Sequence, residues 1–479
     1  MKRFVEGVER GQATLLPESL DDFVHSDNPV RVVDVFVDEL DLRDLGFESV
    51  DPCSTGRPSY HPSVLLKLYI YGYLNRVQSS RRLEREAARN VEVMWLVGRL
   101  VPDHKTIANF RKDNGPAIRK VCARFVELCR TVGLLAEASV AIDGSKFKAV
   151  NNRDRNFTRA KMQRRMAQIE ESVARYLHQL DSADRQEPTA ALESKVAQLT
   201  EKIDKLKDEM GRLENLNAEM LDRPEQQVSL TDPDARSMAT SGRGSGVVGY
   251  NVQTAVDTTH HLIVSHDLTT TGSDRAQLAR MAKRTKAVFG TERLDVVADR
   301  GYFSSGEILA CAEADITVTL PKPMTSGNRS KGRFVKQDFR YVATEDVYVC
   351  PAGERLKYTF TSEEKGLRIR RYWSRVCPSC AVKDRCTTSK QRRISRWEHE
   401  QLLDEVQHRL DSDPQAMRRR RETVEHPFGT IKARMGATHF LMKRLGNVRT
   451  EMALHVLAYN LTRVMNILGT GPLLQAMRA

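Results

Sequence analysis

Between residues 158 and 221 the apolar residues recur in steps of four and three, and this heptad pattern constrains the fold more than any other feature of the chain. The pattern occurs in two matched runs, separated by the polar segment ADRQEPTA. The positions are Met162, Met166, Ile169, Val173, Tyr176 and Leu180, then Leu192, Val196, Leu199, Ile203, Leu206, Met210 and Leu213. Such steps place a narrow apolar stripe along a helix. We therefore predict an antiparallel helical hairpin with a structural role, dimer contacts being the minor alternative.

Short apolar runs on either side of this hairpin are typical of buried β-strands. They are residues 138–142 and 294–298, and each is followed at once by an aspartate, Asp143 or Asp299. We expect Gly144 to end the first strand. A lone aspartate at a strand end is usually a turn former, but strand ends are also where α/β proteins place chemistry.

The remaining elements predict a mixed α/β sheet that the hairpin interrupts. Residues 247–256 and 262–267 have the pattern of two paired strands, 273–289 of a helix, and DITVTLP of a further strand. The order strand, strand pair, helix, strand, helix, strand is typical of a sheet covered by helices.

Residues 29–115 have the pattern of a helical domain. In VPDHKTIANFRKDNG, Asp103 is the expected N-cap of a short helix, with Ile107 and Phe110 facing inward. The residues predicted to face outward suit a helix-turn-helix that docks on DNA, and they are His104, Lys105, Asn109, Arg111 and Lys112. An ordinary helical bundle with a solvated basic face fits equally well.

Charge and composition narrow the classes of function. The chain of 479 residues has 76 Lys and Arg against 63 Asp and Glu, a formal net charge of +13. This excess favours a polyanionic partner such as nucleic acid. Because no apolar signal segment or membrane-length apolar run is found, we expect a cytoplasmic protein without a membrane partner.

The eight cysteines are expected to be thiols or metal ligands in that compartment. Four are clustered in sequence and include a CxxC pair, which is typical of structural zinc sites: Cys350, Cys377, Cys380 and Cys386. The 26 residues between Cys350 and Cys377 are unusual for a compact zinc module. Zinc and unligated thiols are therefore both open. Cys53, Cys122, Cys129 and Cys311 are expected to be packed.

A third acidic residue lies near the C-terminus. The segment RRRRETVEHPFGTIKARMG contains Arg421, Glu425 and Lys432 in an otherwise helical pattern. Three carboxylates from distant parts of a chain suit a pair of Mg²⁺ ions, which would activate an attacking hydroxyl and stabilise a leaving oxygen. Since Pro427 follows Glu425 closely, we expect Glu425 near a helix start or kink.

Taken in order, these segments resemble the DDE transposases of bacterial insertion sequences, in the group with a C-terminal Tyr-Arg-Glu-Lys signature. The resemblance covers nearly the whole chain and rests on GRPSYHPSVLLKLYIYGYLN, PDHKTIANFR, IDGSKFKAVNNRDRNFT, SLTDPDARSM, GYNVQTAVD, ADRGYFS and VEHPFGTIKARMG. In TDPDAR, which the family shares, we expect a turn capped by Asp232 and Asp234, with Arg236 beside them.

The resemblance implies an α/β, ribonuclease-H-like core in which Asp143, Asp299 and Glu425 bind two Mg²⁺ ions, with Mn²⁺ as an alternative. Arg421 and Lys432 match the basic positions of the signature and would contact DNA phosphates. Arg418 stands where the signature has tyrosine. It either provides another cation for a phosphate or marks a degraded copy.

The implied organisation has five parts: a helical DNA-binding domain at 1–130, a catalytic core at 131–157 and 226–330, a coiled-coil insertion at 158–225, a Cys-rich insertion at 331–400 and a C-terminal part of the core at 401–479. The implied function is Mg²⁺-dependent cleavage and transfer of double-stranded DNA, from inverted-repeat ends to target DNA. We expect a homodimer in the synaptic complex, associated with the nucleoid. An inactive DNA-binding remnant, and a ribonuclease-H-like nuclease that cuts without joining, are the alternatives.

Overall fold

The N-terminal part of the chain is helical. A computed structural model describes residues 19–52, 58–150, 155–183, 185, 189–222, 226–239, 246–324, 327–364 and 366–479, so the prediction for Cys53 lies outside the described residues. The α-helices before the first strand are α1 (Pro29–Asp38), α2 (Pro62–Leu74), α3 (Ser80–Ala87), α4 (Val91–Leu96), α5 (His104–Asp113) and α6 (Gly115–Thr131). Asp103 caps α5 as predicted, because its Oδ1 accepts hydrogen bonds from the backbone N–H groups of Lys105 and Thr106.

The middle of the chain contains a long helical pair and a central sheet. Its elements are β1 (Ser139–Lys148), β2 (Asn156–Thr158), α7 (Arg159–Ala183), α8 (Ala190–Leu221), β3 (Gln227–Ser229), β4 (Arg236–Ala239), β5 (Gly246–Asp257), β6 (Ile263–Thr269), α9 (Leu278–Phe289), β7 (Leu294–Ala298), α10 (Ser305–Ala312) and β8 (Ile316–Thr319). β1, β7 and β8 are parallel neighbours, and β5 joins the other edge of β1 in antiparallel orientation. β4 and β6 both pair with β5.

A second sheet and the last helices complete the described chain. They are β9 (Arg340–Val342), β10 (Val347–Val349), β11 (Arg355–Glu364), β12 (Leu367–Trp373), β13 (Ile394–Trp397), α11 (Glu400–Ser412), α12 (Ala416–Gly429), α13 (Leu445–Leu468) and α14 (Thr470–Arg478). β9 to β13 form one five-stranded sheet in the order of the chain. It has its own small apolar core, which consists of Phe339, Tyr348, Leu356, Tyr372 and Ile394.

The heptad segments form the two helices that their spacing predicts. α7 and α8 pack against each other, and the ion pair of Arg165 with Glu209 and the contact of Tyr176 with Lys202 show that they run antiparallel. Their apolar side chains form a core separate from that of the central sheet.

The N-terminal helices share one continuous apolar core with the central sheet. α13 provides the link, because it packs on α2 and α6 as well as on β6. α2 is buried on nearly all sides. None of the helices in the described part of the chain has the length and apolar character that a membrane span requires.

The expectation that Gly144 ends the first strand is wrong. β1 continues to Lys148, and Gly144 pairs with Gln253 of β5 inside the sheet. A Cβ atom at Gly144 would lie 2.3 Å from Gln253 Nε2 and 2.5 Å from Asp274 Oδ1. Glycine is needed here because two side chains approach the backbone closely, which is a common reason for glycine within a strand.

The parallel pairing of β1 with β7 nevertheless stops at the predicted place. Its last pair joins Ile142 to Ala298. Asp143 and Asp299 are the next residues on these two neighbouring strands, so the sheet brings them together.

Candidate active site

Asp143 and Asp299 flank a single guanidinium group. The Nη2 atom of Arg420 lies 2.6 Å from Asp143 Oδ1 and 4.0 Å from Asp299 Oδ2. Arg420 extends from α12, which packs across β1 and β7. The two carboxylates therefore form one acidic site with a cation between them.

The two carboxylates have different surroundings. Burial raises the pKa of Asp143 to about 6, and the neighbouring charges of Asp299 and Asp274 act in the same direction, while Arg420 and the backbone N–H of Gly144 oppose them. Asp299 is more open, with 44% of its side chain exposed, and its Oδ1 accepts a hydrogen bond from the Gly301 backbone. Asp143 is thus the carboxylate that gains most from a nearby positive charge.

A third acidic residue, Asp274, contacts the strands β1 and β5 behind this site and was not predicted. Its Oδ1 accepts hydrogen bonds of 2.7 Å from Asn251 and from Gln253, and its carboxylate forms a 3.2 Å ion pair with Lys146. Tyr302, from the ADRGYFS motif, donates its hydroxyl to Gln253. No local signal in the sequence marks Asp274, since its partners come from strands far along the chain.

Lys432 lies in the helical turn after α12, and its side chain contacts β1. Its ammonium group donates to Ser145 Oγ at 2.6 Å and to the carbonyl of Lys146 at 3.2 Å, and it lies 4.5 Å from the centre of the Phe147 ring. Partial burial lowers its pKa. The structure therefore brings Lys432 close enough to Asp143 for their charges to interact, and its contact with a DNA phosphate stays a prediction.

Glu425 does not reach the aspartate pair. It is the tenth residue of α12, it is exposed, and it makes no hydrogen bond or ion pair within the described chain. Of the two positions expected for Glu425, a helix start or a kink, the helix start is wrong, because nine residues of α12 precede it. The helix continues through Pro427, and the irregularity comes later, in a π-helical turn at Thr430–Arg434.

The described residues contain no group of three or more His, Cys, Asp or Glu side chains arranged to hold a metal ion. The metal role of Asp143, Asp299 and Glu425 thus stays a prediction, supported by the pairing of the first two. Arg418 and Arg421 are both exposed, and Arg418 forms a 3.0 Å ion pair with Glu422.

The predicted DNA-facing residues of α5 fall into two groups. Lys105, Asn109 and Lys112 are exposed, and His104 is half-buried beside Glu84, with 3.1 Å between His104 Nδ1 and Glu84 Oε2. Their contact with DNA stays a prediction.

The outward orientation predicted for Arg111 is wrong. Its guanidinium is buried, donates to the Tyr73 hydroxyl at 2.8 Å and lies over the Tyr69 ring. The buried carboxylate of Glu451 lies close enough to interact with its charge. Arg111 follows Ile107 by four residues, so helical spacing places it on the inward face.

The carboxylates of TDPDAR cap a helix more than 200 residues away. Asp232 Oδ1 accepts from the backbone N–H of Arg444, and Asp234 Oδ2 accepts from that of Leu445, at 3.0 and 2.8 Å. Asp232 also accepts from the Tyr250 hydroxyl. The motif therefore ties the start of α13 to the central sheet, while Arg236 donates to the local carbonyl of Pro233.

The four clustered cysteines line one small cavity at the edge of the second sheet. Each is half-buried, and burial raises the pKa of Cys386. Their arrangement is not one that could hold a metal ion, so the described structure lends zinc no support. Cys122, Cys129 and Cys311 are buried, as predicted.

Comparison with known proteins identifies the class. A transposase domain (DUF772) matches residues 18–113, and a transposase DDE domain matches residues 349–465. Both matches are to transposase domains, at opposite ends of the chain. Together they support a DDE transposase of the insertion-sequence type, and the DDE domain implies the use of divalent metal ions, typically Mg²⁺.

No curated protein matches the chain. Among solved structures, the chain is similar to one described as a cryo-EM structure of the piggyBac transposase synaptic complex with hairpin DNA. The identity is 8%, the TM-score is 0.32, and the match covers 94% of this chain and 79% of the other.

Proposed function

We propose that this protein binds the terminal inverted repeats of its insertion sequence and catalyses Mg²⁺-dependent strand cleavage and strand transfer to target DNA. One observation carries the proposal: Asp143 and Asp299 follow the last backbone pair of two parallel strands and share a single cation. Two carboxylates held side by side by a sheet suit a hard divalent cation, which prefers oxygen ligands.

The strand arrangement supports a ribonuclease-H-like core. β6, β5 and β1 are consecutive antiparallel neighbours, and β7 and β8 extend the sheet in parallel with β1. The helical pair α7 and α8 interrupts this sheet between β1 and β5, in agreement with the proposed insertion at 158–225.

Carboxylate oxygens are suitable ligands for a divalent cation, but only two of the three proposed carboxylates lie together. Asp143 and Asp299 would hold the ion, and Glu425 would be the third ligand after a movement of α12. The metal, when bound, activates the attacking oxygen and stabilises the leaving oxygen of a phosphodiester. Phosphoryl transfer of this kind depends on positioning and charge, so the protein need not supply a covalent nucleophile.

The surrounding residues would position the carboxylates and the DNA. The hydrogen bonds of Asp274 with Asn251 and Gln253 hold the backbone behind Asp143 in place. Lys432 presents a partly buried ammonium group two residues beyond Asp143 on the strand, where a DNA phosphate could compete for it.

Several basic surfaces support DNA as the partner. The exposed residues on α5 and α12 are Lys105, Asn109, Lys112, Arg418 and Arg421, with His104 half-buried beside them. Residues 331–400 contain 17 Lys and Arg against 9 Asp and Glu. Positive charge of this density gains affinity for DNA by releasing condensed counterions. Action on chromosomal DNA also favours a cytoplasmic, nucleoid-associated protein, and the joining of two ends favours a homodimer.

The proposal is tested by a cleavage and joining assay with DNA that carries the gene's own flanking sequences. Asp299→Asn should reduce Mg²⁺-dependent cleavage by roughly 1,000-fold or more, because it removes a metal ligand but not the fold. Asp295→Asn is the matched control, since Asp295 is an exposed residue on the same strand. Equal cleavage by both variants would refute the assignment of Asp299.

The same assay separates the alternatives. End binding without cleavage in Mg²⁺ or Mn²⁺ would identify an inactive remnant, an outcome that Arg418 at the signature tyrosine position makes worth testing. Nicking without joined products would identify a nuclease.

A further inference from the structure

Arg420 is held between the two aspartates by charge alone. Its side chain is 14% exposed, and its Nε and Nη2 atoms are buried without a hydrogen-bond partner. The 2.6 Å approach of Nη2 to Asp143 is therefore an ion pair without hydrogen-bond geometry. A buried donor without an acceptor is costly, which makes this contact easier to displace than a bidentate pair.

The orientation of α12 determines which residue reaches the aspartates. Ala416, Thr423, Val424 and Pro427 are buried, and Arg420 lies in the middle of the helix face that they define. Glu425 follows Arg420 by five residues, which turns it by roughly 140° around an α-helix, away from the sheet. Its exposure agrees with this geometry.

A π-helical turn, Thr430–Arg434, follows Glu425 and contains Lys432. Its defining hydrogen bond runs from the Met435 N–H to the Thr430 carbonyl at 2.9 Å, five residues back. Such a turn accommodates one more residue than an α-helical turn and is frequent at functional sites. Lys432 contacts β1 and Ile431 is fully buried, so residues in the middle of the turn are anchored.

If the turn became α-helical with Lys432 fixed, each upstream residue would move to the place now held by the residue before it. Arg421 would take the helix position of Arg420, and Arg420 would move to the exposed position of Arg419. Glu425 would take the place of Val424, on the side of the helix that faces the sheet.

In the second register apolar side chains take three of the five buried positions of α12, and Glu425 and Gly429 take the other two. In the second register Met417 takes the place of Ala416, Val424 that of Thr423, and Phe428 that of Pro427, all of which are buried positions. Arg421, Glu425 and Lys432 are separated by four and then seven residues. In a continuous α-helix this spacing would place all three on one side. The π-helical turn breaks this alignment in the present register.

We propose that Arg420 is a positioning residue that keeps Asp143 and Asp299 together without metal, and that α12 shifts by one residue when a divalent metal binds. The shift moves Arg420 away from the aspartate pair and brings Glu425 to it. The inference rests on the proposed function, because it assumes that Asp143 and Asp299 bind the metal.

The first test is a calorimetric titration of the full-length protein with Mn²⁺. Arg420→Ala should bind Mn²⁺ about tenfold more tightly than wild type, because the competing cation is gone. Arg419→Ala, which removes an exposed neighbour paired with Asp413, should bind like wild type. An unchanged or weaker Mn²⁺ affinity in Arg420→Ala would overturn the inference.

A double variant separates this failure from failure of the proposed function. Asp143→Asn with Asp299→Asn should lose Mn²⁺ binding. If the double variant binds Mn²⁺ like wild type, the metal assignment itself fails. If it loses Mn²⁺ while Arg420→Ala matches wild type, only the role of Arg420 fails.

The second test follows the register through thiol labelling, read for each peptide by mass spectrometry. Arg421→Cys is exposed now and would move to the buried place of Arg420, so saturating Mn²⁺ should slow its labelling several-fold. Glu422→Cys would stay exposed in both registers and should label at an unchanged rate. Equal protection of both positions, or of neither, would contradict the one-residue shift.

Discussion

The aspartates and the glutamate proposed for one site lie on elements that fix side chains to different degrees. Asp143 and Asp299 follow the backbone pair of Ile142 with Ala298, so hydrogen bonds of the sheet set their separation. Glu425 lies on a helix whose orientation depends on one π-helical turn. The sheet therefore preforms the part of the proposed metal site that contains the two aspartates. The position of the glutamate depends on the register of a single helix.

The largest expected effect is the loss of strand cleavage when Glu425 is replaced. Glu425→Gln should reduce strand cleavage by roughly 1,000-fold, because the third carboxylate is then missing from the assembled site. Glu422→Gln, an exposed acid on the same helix, should cleave like wild type. Normal cleavage by Glu425→Gln would show that the aspartates on the sheet suffice, and the contrast between sheet and helix would lose its functional meaning.

A smaller effect concerns the pH dependence of the metal-free protein. Burial raises the folded pKa of Asp143 from 3.8 to about 6. The folded state then holds a proton that the unfolded state has released, so the free energy of unfolding falls as pH rises from about 4 to 6, by up to about 3 kcal/mol. The stabilisation from this group is fully present below the unfolded pKa and is lost above the folded one.

The measurement is urea unfolding in EDTA at a series of pH values. Asp143→Asn should lack this component, so the difference between wild type and variant should change across that pH window. Parallel profiles would mean that Asp143 is not buried as described.

The smallest effect tests how tightly the sheet encloses the site. Gly144→Ala should lower the free energy of unfolding by about 1–3 kcal/mol, since its Cβ would overlap Gln253 and Asp274. Gly211→Ala is the matched control, because Gly211 lies in α8 with open space where a Cβ would stand, and this change should stabilise by about 0.5–1 kcal/mol. Chemical denaturation of both variants measures the difference, and a neutral Gly144→Ala would indicate a looser site.

The sequence predicted the local features of this molecule well. A short apolar run ending in aspartate correctly indicated β7, and the heptad spacing predicted α7 and α8. The N-cap at Asp103 and the burial of Ile107 and Phe110 are also confirmed. In each case the determining interactions lie within a few residues along the chain.

The features that the sequence did not reveal depend on distant contacts. Gly144 has the pattern of a strand end, and only the approach of Gln253 and Asp274 explains why it lies inside a strand. Asp232 and Asp234 cap a helix that begins near residue 445. Arg420 belongs to a run of four arginines. The helical turn after α12 determines which of the four reaches the aspartates.

A crystal structure of the protein with Mn²⁺, located by its anomalous scattering, would show whether Asp143 and Asp299 form the metal site. We expect a Mn²⁺ peak between the two aspartates, with Arg420 displaced and Glu425 turned toward the ion. A structure with Mn²⁺ bound elsewhere and Arg420 still between Asp143 and Asp299 would contradict the account.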